Sequence, residues 1–393
     1  PISLLGIYVA LAEIDEVVRK KSFNVYIPYD RLTIMVKRMV GNILVVGAGM
    51  TGASVASFLK EDFKQTLKLT VWDKAKGTGG RMSTSRCSKD GKCTVDLGAQ
   101  YISATSEYLQ KHASHYEELV AAGLLKPMTA VIEGQKDGTK DIKHYVTPKG
   151  VSSLVKHYLQ KADPELHLDH RIQKVDIESG SPSKIYVTTQ TGSCQAFSAL
   201  VLTVPVPQVL QLQGNIQHLI ATQKEVKQNL ENVTYSSRFA LGLFYQPGVE
   251  LNYPWSAKYV TDHSCIRFIS IDNRKRGVES PHIGPSICVH TSVPFGIQNV
   301  EEDKEKVKTV IIEYLKEVLP DLSDPIEVKS HKWRYSQVQN SYPGSPGCVM
   351  LSENPPLILA GDAFTHSNFD GCIESAIAVR QVLCDLLKSK VKM

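Results

Sequence analysis

The chain has no run of about 18 apolar residues, the minimum for a membrane-spanning helix. The nearest approach, "ISLLGIYVALA" (2–12), is too short, and it lacks the basic flank of a signal peptide. Residues 1–38 are therefore expected to lie outside the folded domain. A Lys/Arg-dense block is also missing. With 45 Lys and Arg against 40 Asp and Glu, the formal charge of +5 over 393 residues argues against nucleic acid as the main partner. The eight cysteines form no C-x-x-C pair, which argues against a zinc site and against a small disulfide scaffold. No metal is expected, and there are no internal repeats or low-complexity segments.

What is present begins at "NILVVGAGMTGASVA" (42–56). Ile43 to Val46 is an unbroken apolar run, the pattern of a parallel strand covered on both faces. Val55, Phe58 and Leu59 follow at helical spacing. Strand, glycine turn and helix together give the context that a dinucleotide fingerprint requires. Gly47 permits the tight turn, Gly49 lets the backbone approach a pyrophosphate, and Gly52 lets helix and strand pack closely. The phosphates then meet the free N–H groups of the helix N-terminus. A second strand, "LKLTVWD" (67–73), ends on Asp73, placed to accept hydrogen bonds from ribose hydroxyls.

Asp73 does not by itself separate FAD from NAD, since both carry an adenosine ribose. The residues beyond it do. Gly79, Gly80 and Arg81 offer a second backbone approach and a fixed cation for the pyrophosphate. "VDLGAQYI" (95–102) reads as a short strand and loop returning to the same region. Near the C-terminus another buried-strand run, 357–360, leads to Gly361-Asp362 and then to a helix from about Gly371. Ile373, Ala376, Ile377, Leu383 and Leu387 supply its apolar face.

This order resembles the two-part signature of the FAD-linked amine oxidase superfamily. The resemblance implies an α/β fold: a two-domain flavoprotein with a Rossmann-like FAD-binding domain and a mixed-sheet α+β substrate domain. Its C-terminal Gly-Asp then contacts the ribityl and phosphate region of FAD. It also narrows to one branch of the superfamily, through "YSSRFALGLFY" (235–245), "CIRFISIDN" (265–273), "HTSVPFG" (290–296), "KWRYSQV" (332–338) and "GDAFTHSNFDGCIESA" (361–376). Members of that branch oxidise the 2-dihydro and 6-dihydro isomers of NADH and NADPH to NAD(P)+, and O2 becomes hydrogen peroxide. Carried over residue by residue, the implied FAD contacts are Gly47, Gly49, Thr51, Gly52, Asp73, Arg81, Gln100, Tyr101 and Asp362. Residues 1–38 and the linker "CSKDGKC" (87–93) depart from the family pattern. Secretion is implied by the resemblance, with a cytoplasmic location as the alternative.

Hydride transfer from a dihydropyridine leaves an aromatic pyridinium and requires no proton removal, so it needs positioning more than a general base. The sequence fits: it offers no compact acid–base constellation. The candidate pocket is Tyr235, Arg238, Trp255, His290, Trp333 and Asn368, with Arg238 for substrate phosphate and an aromatic face to stack on nicotinamide. This expectation attaches to the set. Two alternatives stay open. A monoamine or polyamine oxidase predicts an aromatic cage and a Lys by the flavin, for which Lys149, Lys258 and Lys332 are available. A secreted signalling ligand predicts a signal peptide and an exposed epitope. The expected organisation is a discontinuous FAD-binding domain, 39–125, 165–215 and 340–393, with substrate-domain segments 126–164 and 216–339.

Overall fold

Two six-stranded sheets carry the architecture. A computed structural model of the chain describes residues 41–135 and 141–391; the expected extension 1–38 lies outside them. The first sheet runs, strand by neighbouring strand, 348–353, 356–360, 199–202, 41–46, 67–72 and 165–167. All pairings are parallel except that of the first two strands, an antiparallel edge. The apolar run Ile43–Val46 is central, so both of its faces are covered. Ile43 and Val45 pack under the helices Met50–Phe63, Ser152–Ala162 and Phe369–Val391. Leu44 and Val46 face a three-stranded sheet (172–178, 184–189, 194–197) and the helices 216–222 and 224–231.

The second sheet runs 327–333, 238–244, 286–291, 266–271, 257–259 and 132–133. Alternation along Arg238–Phe244 sorts its residues by face. Phe239, Leu241 and Leu243 pack with Val307, Ile311 and Leu315 of the helix Lys304–Val318. Ala240 and Phe244 turn the other way, against Cys87, Cys93, Val95 and Leu97 of the hairpin 84–96 and its continuation. Gly242 is obligatory there, because a Cβ would come within 2.6 Å of Val95 Cγ1.

Some sequence expectations shift. The helices 152–162 and 216–231, expected with the substrate segments, pack on the first sheet because their apolar stripes complete its two faces. Ile377, expected on the buried face of the C-terminal helix, is exposed, as is Val310 of the helix Lys304–Val318. Each lies at the edge of its apolar stripe, beyond the width that a single neighbour covers. Asp303 caps its helix by accepting from the backbone N–H of Glu305 and Lys306, so that helix begins at 304.

Candidate active site

Between the two sheets lies one cavity of about 1580 Å³. Typical ligand pockets hold roughly 300–1,000 Å³, so this one has room for two molecules end to end or face to face. The structure brings all nine expected cofactor residues to its lining: Gly47, Gly49, Thr51, Gly52, Asp73, Arg81, Gln100, Tyr101 and Asp362.

Short-range contacts build the phosphate end. Gly47 has φ +114°, and a Cβ there would sit 2.4 Å from Thr203 Oγ1; a Cβ on Gly52 would sit 1.9 Å from the Gly47 oxygen. Both glycines are thus required by the protein's own packing. Gly49 is different. Its φ of −90° suits any residue, and a Cβ would meet only the Gly79 oxygen, 4.0 Å away. What a side chain at Gly49 would fill is the cavity itself, directly before the helix Met50–Phe63. No side chain caps that helix, so its first N–H groups are available to an anion.

The Asp73 carboxylate accepts from the Ala48 and Ala75 N–H groups at 2.7 and 2.8 Å, tying the glycine turn to the second strand. The Gly79 N–H donates to the Ala48 oxygen at 2.8 Å, which sets the second glycine pair against the first. Arg81 forms a bidentate pair with Asp362, 281 residues away, at 2.6 and 2.7 Å. Ser367 Oγ donates to the same carboxylate. The pair takes two of the five guanidinium N–H donors and leaves three for a ligand. These features fit a dinucleotide cofactor whose pyrophosphate lies over Gly49. Replacing Arg81 with Met strands the buried Asp362 carboxylate without its cation, a loss of about 3–5 kcal/mol. The expected result is a lowered melting temperature and loss of FAD on gel filtration, read from the visible absorbance of the protein peak.

The opposite wall is a face of the second sheet. Strand register sets Tyr259 opposite Phe268, Phe268 opposite His290, His290 opposite Ala240, and Ala240 opposite His331. Directly opposed residues share a face, so four rings flank one small residue in a single row. Ring centres are 5.0 Å apart for Tyr259–Phe268 and 5.9 Å for Phe268–His290, and Trp333 lies 3.9 Å from His331. Two guanidiniums join the row, those of Arg238 and Arg267. Among the described residues neither has a carboxylate partner; each makes one hydrogen bond of 3.3 Å, to Gln337 Oε1 and to the Val260 oxygen. Burial, and then the charge of Arg267, hold the Arg238 pKa below its ordinary value.

Of the six expected pocket residues, Arg238, His290, Trp333 and Asn368 line the cavity. Tyr235 and Trp255 do not. Tyr235 accepts a hydrogen bond from the Val206 N–H and packs on Tyr335, whereas Trp255 is buried in the far core and stacked on Tyr253. Asn368 uses its side-chain oxygen to accept from the Gly371 N–H, fixing the start of the C-terminal helix. Gln100 turns its amide into the interior, donating to the Asp96 and Gly98 oxygens. Tyr259, Arg267, Phe268 and His331 were not foreseen. Arg267 and Phe268 are consecutive yet both reach the cavity because a bulge shifts the register between Ile266 and Phe268, re-aiming the side chains.

His290 is neutral. Burial lowers its pKa to about 4, and its Nε2 lies 2.9 Å from the Leu97 oxygen, which assigns the proton to Nε2. Of the lysines, Lys258 pairs with Glu133, Lys332 donates to the Val300 and Glu302 oxygens, and exposed Lys149 is no part of the lining. Among the described residues no His/Cys/Asp/Glu group could hold a metal, and no helix is long and apolar enough to cross a membrane.

Residues 45–119 match the family model of an NAD(P)-binding Rossmann-like domain, and residues 115–383 that of flavin containing amine oxidoreductases. The chain is 44% identical to mouse renalase, an alignment covering 88% of this chain and 99% of that protein. A crystal structure of a putative protoporphyrinogen oxidase from Exiguobacterium sp. 255-15 superposes with a TM-score of 0.64 at 14% identity. It covers 88% of this chain and 99% of its own, a likeness of fold alone. The chain is thus an FAD-dependent oxidoreductase that belongs to the flavin-containing amine oxidoreductase family, on its renalase branch.

Proposed function

We propose that this protein oxidises the 2-dihydro and 6-dihydro isomers of NADH and NADPH to NAD(P)+, with O2 reduced to hydrogen peroxide. The observation that carries this reading is the pair Arg238 and Arg267, two guanidiniums beside an aromatic row with no carboxylate among the described residues to compensate them. A pyrophosphate-bearing donor matches them. A protonated amine is repelled by them, and among the described residues no cavity carboxylate other than Asp73 and Asp362, at the phosphate end, offers it a partner.

FAD, when bound, would supply the two-electron acceptor chemistry of this reaction. Gly47, Gly49, Thr51 and Gly52 would hold its pyrophosphate side, Asp73 its ribose, and Arg81 with Asp362 the link between the two halves. On the other wall, Tyr259, Phe268 and His290 offer flat faces to a planar dihydropyridine. The guanidiniums anchor the phosphates. Neutral His290 has its one ring proton engaged by Leu97, so it is no ready proton donor. None is needed, since loss of a hydride already yields the aromatic pyridinium.

Anaerobic stopped-flow mixing tests the reading. With 6-dihydroNAD the flavin band is expected to bleach rapidly; with a catecholamine it is expected to persist. The opposite pattern overturns the proposal. His290 gains a proton only as pH falls toward about 4, so the bleaching rate is expected to be flat from roughly pH 5 to 8. A rate that climbs tenfold per pH unit in that window would point to an obligatory base.

A further inference from the structure

Behind the cavity wall lies a group of ionisable side chains that no step above uses: Asp96, Asp272, Lys275 and Arg276, all buried, with Lys275 only 1% exposed. Two acids and two bases taken out of water are a costly arrangement that well-packed apolar residues often replace without loss. The contacts of Lys275 supply a reason for its presence. Its Nζ lies 2.8 Å from Asp272 Oδ1 and donates to Gln100 Oε1 at 2.6 Å. Ser270 Oγ donates to the same amide oxygen at 3.1 Å. On its other side the Gln100 amide nitrogen donates to the Asp96 and Gly98 oxygens at 2.6 and 3.0 Å.

That amide cannot turn over, because flipping it would set its NH2 against the ammonium and its oxygen against two carbonyls. With the Asp96 and Gly98 carbonyls held toward Gln100, the carbonyl between them serves a different group. The Leu97 oxygen receives two ring N–H donors of the wall, Trp333 Nε1 and His290 Nε2, each at 2.9 Å.

We propose that Lys275 is a positioning residue for this enzyme: acting through Gln100, it fixes the Leu97 carbonyl that orients His290 and Trp333 on the substrate wall. It touches neither ring. Arg276, the other cation of the group, pairs with Asp272 Oδ2 and donates to Thr94, and has no bond to Gln100. The two cations therefore separate a positioning role from a merely structural one.

The test uses flavin-loaded protein and reads the His290 imidazole by long-range proton–nitrogen correlation. Wild type and Arg276→Met are expected to show the Nε2–H tautomer. Lys275→Met is expected to lose it, and kcat for 6-dihydroNAD to fall about tenfold or more while KM stays within about twofold, as misplacement rather than lost binding predicts. Gln100→Met, of similar length but without the amide, removes the bonds to the Asp96 and Gly98 carbonyls and is expected to reproduce the loss even if Lys275→Met does not fold. Retention of the Nε2–H tautomer in either variant overturns the proposal, as does an equal loss in Arg276→Met. The kinetic readout alone rests on the proposed reaction. If wild type fails to oxidise the dinucleotide yet the tautomer shifts in Lys275→Met, that reading falls and this one stands.

Discussion

Gly49→Ala is expected to give a folded protein that does not retain FAD. The new methyl meets only the Gly79 oxygen at 4.0 Å, and the backbone there is already in a conformation open to alanine. Folding is therefore undisturbed, and the melting temperature of the flavin-free form should match that of wild type freed of flavin. The methyl does occupy the space through which a pyrophosphate reaches the helix N-terminus. Hydrogen bonds to charged groups contribute about 1.5–3 kcal/mol each, so losing two weakens FAD binding on the order of hundredfold or more. Titration of the flavin-free protein with FAD, followed by flavin fluorescence, measures this. Gly52→Ala serves as the contrast. Its Cβ would lie 1.9 Å from the Gly47 oxygen, so that variant should lose stability itself. If Gly49→Ala binds FAD as wild type does, the pyrophosphate does not lie over this turn.

The double variant Arg238→Met, Arg267→Met is expected to raise KM for dihydronicotinamide dinucleotides on the order of hundredfold or more, with kcat nearly kept. Two charge-assisted contacts are removed, each worth about 1.5–3 kcal/mol. Methionine preserves most of the apolar stem and strands no buried acid, since neither guanidinium has a carboxylate partner among the described residues. The loss is then one of binding, which raises KM rather than slowing chemistry. In wild type, KM should also climb with ionic strength, because salt screens attraction between partly exposed charges. Steady-state oxygen consumption at several salt concentrations measures both effects. A KM within about threefold of wild type would remove the arginines from substrate binding and with them the main argument against a cationic substrate.

The glycine turn, Asp73, the second glycine pair with Arg81, and Gly361-Asp362 were all legible in the chain. Each depends on backbone conformation or on a strand end, and those follow from neighbours a few residues away. The substrate wall was legible only in part. Arg238, His290 and Trp333 were identified, yet Trp255 turned out to be core. An aromatic at a strand end carries no mark of which sheet face it will join. Tyr259, Phe268 and His331 gain their meaning from being opposed across five strands, a relation set by register. Arg267 depends further on a bulge that breaks the alternation on which such a reading relies.

By itself, then, the sequence determined the nucleotide-binding half of this protein, because glycine-dependent turns and buried parallel strands are encoded in short contiguous segments. Tertiary structure alone decided which side chains line the second wall of the cavity, that Arg81 clamps Asp362 across 281 residues, and that Lys275 stands behind Gln100. Those relations arise where segments distant in sequence are brought side by side, and on the strands of the cavity wall a one-residue change of register would have turned each side chain to the opposite face.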